Sequence, residues 1–138
     1  MRAGHVVLVV EDDPAVQGAI QRGLEQREFT VRTAFDCRKA MLQLEAPPPD
    51  VVCIDLCLPD QSGYELCESI RQTPSCSDVL IVVMGDDAFP EHMVHAEMAG
   101  ANAFLKKPFL MDTLAQCIES LLDRAPASLV NARQLRMP

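Results

Sequence analysis

Tryptophan is missing from this chain, and aromatic residues of every kind make up only 4% of it. With 49% of residues apolar, a core can form, but it has to be aliphatic. Positive charge is also in short supply. Twelve Lys and Arg face twenty Asp and Glu, for a net charge of -8. Such a surface repels a nucleic-acid duplex and an anionic bilayer. Direct binding to nucleic acid or membrane is therefore not expected, and cationic or protein partners are. The charge speaks for these 138 residues alone and leaves room for a nucleic-acid-binding domain elsewhere in a longer protein.

No apolar run approaches the length of a membrane span. Met1-Arg2-Ala3-Gly4 leads straight into a strand-like run of six residues, too short for a signal-peptide core or a transmembrane helix. The six cysteines, at 37, 53, 57, 67, 76 and 117, include no Cys-x-x-Cys pair, which argues against a zinc or thioredoxin-like site. They are expected to be reduced thiols in a cytoplasmic protein, most of them packing groups, with Cys53 and Cys117 on apolar faces. Internal repeats and low-complexity stretches are absent. The length suits one domain.

What the chain does contain is alternation. Short apolar runs at His5–Val10, Thr30–Ala34, Val51–Ile54, Val79–Met84 and Ala103–Lys106 are separated by segments with helix signals. Asp13-Pro14 supplies a cap and a first-turn proline, followed by Val16, Ile20 and Leu24. Ala40, Met41 and Leu44 mark a shorter helix stopped by Pro47-Pro48-Pro49. Leu66, Cys67 and Ile70 mark a third, with Ser62 as its cap. Pro90 opens a fourth that runs to Gly100, with Met93, Val94 and Met98 expected to face inward. Leu114, Cys117, Ile118, Leu121 and Leu122 form the inner stripe of a fifth. Five strands alternating with five helices predict an α/β fold, a flavodoxin-like (βα)5 doubly wound five-stranded parallel sheet in the order 2-1-3-4-5. Residues 125–138 read as a tail or the start of a linker.

Chemistry gathers at three strand ends. The first ends in Glu11-Asp12-Asp13, the third in Asp55, and the fifth in Lys106-Lys107-Pro108. Asp55 alone could be a helix-capping turn residue or a reactive group, and Asp13 has a capping role of its own. In the predicted order, however, all three ends meet at the carboxyl edge of the sheet, where ligands bind in such folds. Carboxylates crowded there need a counter-charge. A divalent cation with oxygen ligands, Mg2+ (or Mn2+), supplies one. Asp12 and Asp55 suit direct ligation, with Glu11 close by or acting through water. Lys107, aimed by Pro108, can neutralise a phosphoryl oxygen, whereas Lys106 alternates to the other side of its strand.

These residues carry a family likeness. Over residues 5–124 the chain resembles a response-regulator receiver domain of two-component signalling. The matching pieces are Val9-Val10-Glu11-Asp12-Asp13-Pro14, then Asp55-Leu56-Cys57-Leu58-Pro59-Asp60-Gln61-Ser62-Gly63, then Gly100 through Phe109. The resemblance implies that Asp55 accepts a phosphoryl group from the phosphohistidine of a sensor histidine kinase or phosphotransfer protein. It implies a metal held by Glu11, Asp12, Asp55 and the backbone carbonyl of Cys57. Lys107 would be the phosphoryl-binding lysine and Phe104 the aromatic switch position. It further implies a signalling domain rather than an enzyme, one that assists its own phosphorylation and dephosphorylation. An output domain or downstream protein would read the signal. The face formed by helix four, strand five and helix five is a frequent partner or homodimer surface in the family.

One position departs from the family pattern. Counting back from Lys107 without gaps, the Ser or Thr expected at the end of strand four is Gly85, followed by Asp86-Asp87. A side-chain hydroxyl is therefore absent where the family uses one to read the phosphoryl group. An active phosphoacceptor read by an altered route remains one expectation, and a phosphorylation-independent docking module the other. Two further functions fit less well. An aspartyl phosphatase of the haloacid-dehalogenase type wants a second acid two residues after the nucleophile, where Cys57 stands. A flavin-binding flavodoxin wants a hydroxyl-rich phosphate loop and aromatic flanks, where Glu11-Asp12-Asp13-Pro14 stands. His92 and His95, spaced for one helix face, lack a third metal ligand and read as surface histidines.

Overall fold

The computed structural model describes residues 4–45 and 47–124. The tail assigned to 125–138 lies outside the described residues. Short runs rich in apolar residues form the strands, with the edge strand Thr30–Ala34 (Thr-Val-Arg-Thr-Ala) the most polar, and helical segments lie between them. In chain order these are β1 (Val6–Val10), α1 (Pro14–Glu25), β2 (Thr30–Ala34), α2 (Cys37–Gln43), β3 (Val51–Asp55), α3 (Gly63–Gln72), β4 (Leu80–Gly85), α4 (Pro90–Ala99), β5 (Ala103–Lys106) and α5 (Met111–Asp123). A single 3-10 turn, Pro74–Cys76, precedes β4. All strand pairs are parallel and the order is β2-β1-β3-β4-β5, as the alternation predicted.

The pleat sorts the side chains into two cores. Val7, Val9, Cys53, Val82, Met84 and Leu105 point to the side covered by Ile20 and Leu24 of α1 and by Leu114, Cys117, Ile118 and Leu121 of α5. Leu8, Val10, Ile54, Ile81, Val83 and Phe104 point the other way, toward α2, α3 and α4. Every residue of β3 is buried, so this strand is the spine of both cores. Five of the six cysteines are buried as free thiols, and Cys57 alone is exposed. Burial pushes the Cys53, Cys67 and Cys117 thiols well above the usual range. They are packing groups.

The helix ends follow the expected chemistry. Asp13 Oδ1 accepts from the backbone N–H of Ala15 at 2.9 Å and of Val16 at 3.3 Å, with Pro14 in the first turn. Ser62 and Glu65 form a reciprocal capping box at the start of α3. Gly100 ends α4 at φ +105°, in the left-handed region that favours glycine.

Helix phase differs from the sequence reading in two places. Val16 is exposed, and the buried stripe of α1 runs through Gln17, Ile20, Gly23 and Leu24 instead. In α4 only Met93 of the three expected residues faces inward. Val94 is exposed and Met98 is 81% exposed, because Ala96 and Ala99 supply the close contact to the sheet. Small side chains let this helix approach closely, which leaves its bulkier residues outside. Leu122 of α5 is only partly buried. No helix among the described residues is long and apolar enough to cross a membrane.

Candidate functional site

The strand order sets β1 and β3 side by side, with Val10 opposite Ile54. The chain leaving β1 at Glu11 and the last residue of β3, Asp55, therefore emerge together. Ligand oxygens of Glu11, Asp12 and Asp55 all lie within 4.8 Å of one another. Asp12 is exposed, while Glu11 and Asp55 are buried.

Asp55 has two fixed partners. Its Oδ1 accepts from the Cys57 N–H at 3.1 Å, and its Oδ2 stands 3.0 Å from Lys107 Nζ. Behind it, Gly63 makes the turn possible. A Cβ there would sit 2.7 Å from the carbonyl oxygen of Asp55 and 2.9 Å from Cα of Leu56, both backbone atoms. The start of α3 thus packs directly on the strand end that carries Asp55.

Lys107 reaches the site from β5. Its backbone N–H donates to the carbonyl of Gly85 at 2.7 Å, and the Lys107–Pro108 peptide is cis. Lys106, one residue earlier, is exposed at the end of the strand. Lys107 Nζ is also 3.6 Å from Glu11 Oε1. Burial disfavours its charge, but the hydrogen bond and charge of Asp55, then the charges of Glu11 and Asp86, outweigh that and raise its pKa. The ammonium is the counter-charge of the cluster.

Glu11 is strained electrostatically. Burial raises its pKa to about 7, opposed by the Asp13 N–H that donates to Oε2 at 3.1 Å and by Lys107, and reinforced by Asp55. Oε1 is buried without a hydrogen-bond partner. A buried carboxylate oxygen lacking a donor, beside two further carboxylates, is a set of hard oxygen ligands short of positive charge. Mg2+ fits that set. Soft or nitrogen-preferring metals fit it less well, because the three clustered side chains offer carboxylate oxygens alone.

Two contributors escaped the sequence reading. Gln17 is buried on α1, and its Nε2 donates to the carbonyls of Glu11 at 3.0 Å and Ala34 at 3.1 Å, tying the ends of β1 and β2 together. The sign was a polar residue three before Ile20 and seven before Leu24, on the apolar stripe. Asp60, in the turn after β3, accepts from the N–H groups of Cys37 at 3.0 Å and Arg38 at 3.1 Å, anchoring that turn to the start of α2. No sequence spacing announces that contact.

The remaining predicted residues sit around this centre. Gly85 is buried at the end of β4, opposite Lys106. Asp86 turns outward and Asp87 pairs with His92 at 3.3 Å. His95 stacks on Tyr64 with ring centroids 3.8 Å apart, so the two histidines diverge rather than converge on a metal. Phe104 is completely buried. Exposed Val16 lines, with Ala15, Ala19, Phe109 and Met111, a cleft of about 600 Å3 that reaches Lys107.

Residues 7–119 match the family model described as the response regulator receiver domain. The chain is 32% identical over 118 residues to the response regulator MprA of Mycolicibacterium vanbaalenii, an alignment that covers 86% of this chain and 50% of that protein. It thus spans about half the length of the curated relatives it matches. Among solved structures, it superposes on the chemotaxis protein CheY4 of Vibrio cholerae with a TM-score of 0.81 at 25% identity, covering 86% of this chain and 98% of that one. It superposes on a CheY-like receiver domain protein of Methanospirillum hungatei with a TM-score of 0.79 at 27% identity, covering 86% of this chain and 94% of that one. With the sheet order and the acid cluster already described, these matches place the chain in the response-regulator receiver domain family of two-component signalling.

Proposed function

We propose that Asp55 is a phosphoacceptor, charged by the phosphohistidine of a sensor histidine kinase or phosphotransfer protein. The observation that carries this reading is the single ammonium of Lys107, 3.0 Å from Asp55 Oδ2 at the edge of a carboxylate cluster short of positive charge. A carboxylate oxygen of Asp55 forms the new bond to phosphorus as the phosphorus–nitrogen bond of the donor breaks. The electron pair of that bond returns to the imidazole nitrogen. Transfer of this kind needs positioning and charge neutralisation more than covalent help. Glu11, Asp12, Asp55 and the backbone carbonyl of Cys57 would hold Mg2+ (or Mn2+). Bound there, the ion would neutralise phosphoryl oxygens. Lys107 would take another phosphoryl oxygen, and the Cys57 N–H holds Asp55 in orientation.

Residues 5–124 act as the receiver in the cytoplasm, with 125–138 a tail or the start of a linker. The signal passes to an output domain or a downstream protein, with homodimerisation through α4, β5 and α5 as one route.

The test is direct. Incubation with a small acyl phosphate and Mg2+ adds one phosphate to the wild-type protein by intact mass, and Asp55→Asn adds none. An unmodified wild type would overturn the phosphoacceptor reading and favour a phosphorylation-independent docking module, the alternative motivated by Gly85.

A further inference from the structure

One small volume near the site has two claimants. Phe104 points from β5 to the side of the sheet covered by α2, α3 and α4, and its ring is 0% exposed. Gly85 ends β4 on the same side. Val83 pairs with Phe104 and Gly85 with Lys106, so residues 85 and 104 are diagonal neighbours across the two strands. A Cβ at position 85 would lie 2.9 Å from Cζ and 3.4 Å from Cε2 of Phe104, and 2.9 Å from Cδ1 of Leu56. Gly85 is not among the residues with positive φ, so the backbone does not demand glycine there. What the absent side chain provides is space, and Phe104 and Leu56 fill it.

We infer that Phe104 is a permanent core residue in this chain, held inside by the lack of a side chain at Gly85, and that it stays there whether or not Asp55 carries a phosphoryl group. This rests on the phosphoacceptor reading for its second half only. The argument is steric. A ring can move between inside and outside only if something else takes up or gives back its volume. With hydrogen as the side chain of residue 85, nothing on β4 can advance into that space or retreat from it. Leu56, the residue after Asp55, packs against the same vacant position, so the ring also supports the turn that carries the phosphoacceptor. The aromatic switch expected from the family likeness is thereby fixed in one position, and the Phe104 ring adds nothing to the surface over β5 in either state.

Two arms test this. In the first, the protein is labelled with fluorophenylalanine, the Phe104 resonance is assigned with Phe104→Leu, and the spectrum is recorded before and after treatment with acyl phosphate and Mg2+. Intact mass is read on the same sample. The expected result is a phosphate adduct with the Phe104 resonance unmoved and protected from a soluble paramagnetic agent. An adduct accompanied by a Phe104 resonance that becomes accessible overturns the inference. A sample without adduct counts against the phosphoacceptor reading instead, and the second arm then decides. Gly85→Thr, and the smaller Gly85→Ala, should lower Tm and expose the Phe104 ring to the paramagnetic agent. Phe104→Leu alone should also lower Tm, yet in the Gly85→Thr background it should raise Tm. Gly85→Ala and Gly85→Thr proteins that melt like the wild type with a protected ring would overturn the inference.

Discussion

Lys107 Nζ and Asp55 Oδ2 stand 3.0 Å apart, which makes one ammonium the direct partner of the proposed phosphoacceptor. The same nitrogen is 3.6 Å from Glu11 Oε1. Replacing it removes the counter-charge from a buried cluster and the group that would meet the incoming phosphoryl oxygen. Lys107→Ala should slow phosphorylation by acyl phosphate by about 10²–10³-fold, the usual cost of deleting one charge-stabilising donor. Lys107→Arg should recover little, because a planar fork does not reproduce a compact point charge. Time courses of adduct formation by intact mass give both rates. A Lys107→Ala protein phosphorylated at the wild-type rate would remove this residue from the site.

Gln17 ties Glu11 to Ala34 through one side-chain nitrogen. Gln17→Leu keeps the volume and leaves two buried carbonyls without that donor, although the Glu11 N–H still bonds Ala34. The expected cost is about 1–3 kcal/mol, measured by urea unfolding. Because the lost bond holds the backbone of Glu11, Mg2+ affinity measured by calorimetry should fall as well. A drop in stability with Mg2+ affinity unchanged would confine Gln17 to a packing role.

Much of this site is legible in the sequence, and for a physical reason. The five strands are short apolar runs, so their last residues are easy to find, and parallel topology forces those ends to one edge. Glu11, Asp12, Asp55 and Lys107 met as a consequence. The helix faces were harder. Val94 and Met98 look like core residues beside Ala96 and Ala99, yet the small alanines face the sheet in α4 because they permit close approach. Gln17 took a core position that Val16 was expected to share, since its amide satisfies two carbonyls there. Side-chain complementarity across strands leaves no sequence period at all. That is why the fit of Phe104 against Gly85 emerged only in three dimensions.

Asp60 ties the turn after Asp55 to the start of α2. Its carboxylate accepts from the Cys37 and Arg38 N–H groups, and these bonds hold its pKa below the ordinary 3.8, against a smaller opposing effect of burial. A folded pKa below the unfolded one means that the stabilisation is present above 3.8 and is lost as pH falls through the folded value. Asp60→Ala should therefore be less stable than the wild type at neutral pH, and the gap should close in acid below 3.8. Thermal melts across that range measure it. A gap that stays constant into acid would show that the charge of Asp60 contributes nothing.

Asp12 is the exposed member of the acid cluster, with a ligand oxygen within 4.8 Å of those of Glu11 and Asp55. Without metal, its charge adds repulsion to two buried carboxylates. With metal, it would become a ligand. The two conditions should therefore respond to Asp12→Asn in opposite senses. In a chelator, the variant should be as stable as the wild type or more stable by up to about 1 kcal/mol, the scale of an exposed charge interaction. In excess Mg2+ the wild type should gain stability, by about 2.7 kcal/mol when the ion is at a hundred times its dissociation constant. Asp12→Asn should lose most of that gain. Melting curves of both proteins in chelator and in Mg2+ make the comparison, and Ca2+ in place of Mg2+ separates a site of fitted geometry from general charge screening. If the variant gained as much from Mg2+ as the wild type, Asp12 would not be a ligand, and the cluster would owe its close spacing to Lys107 alone.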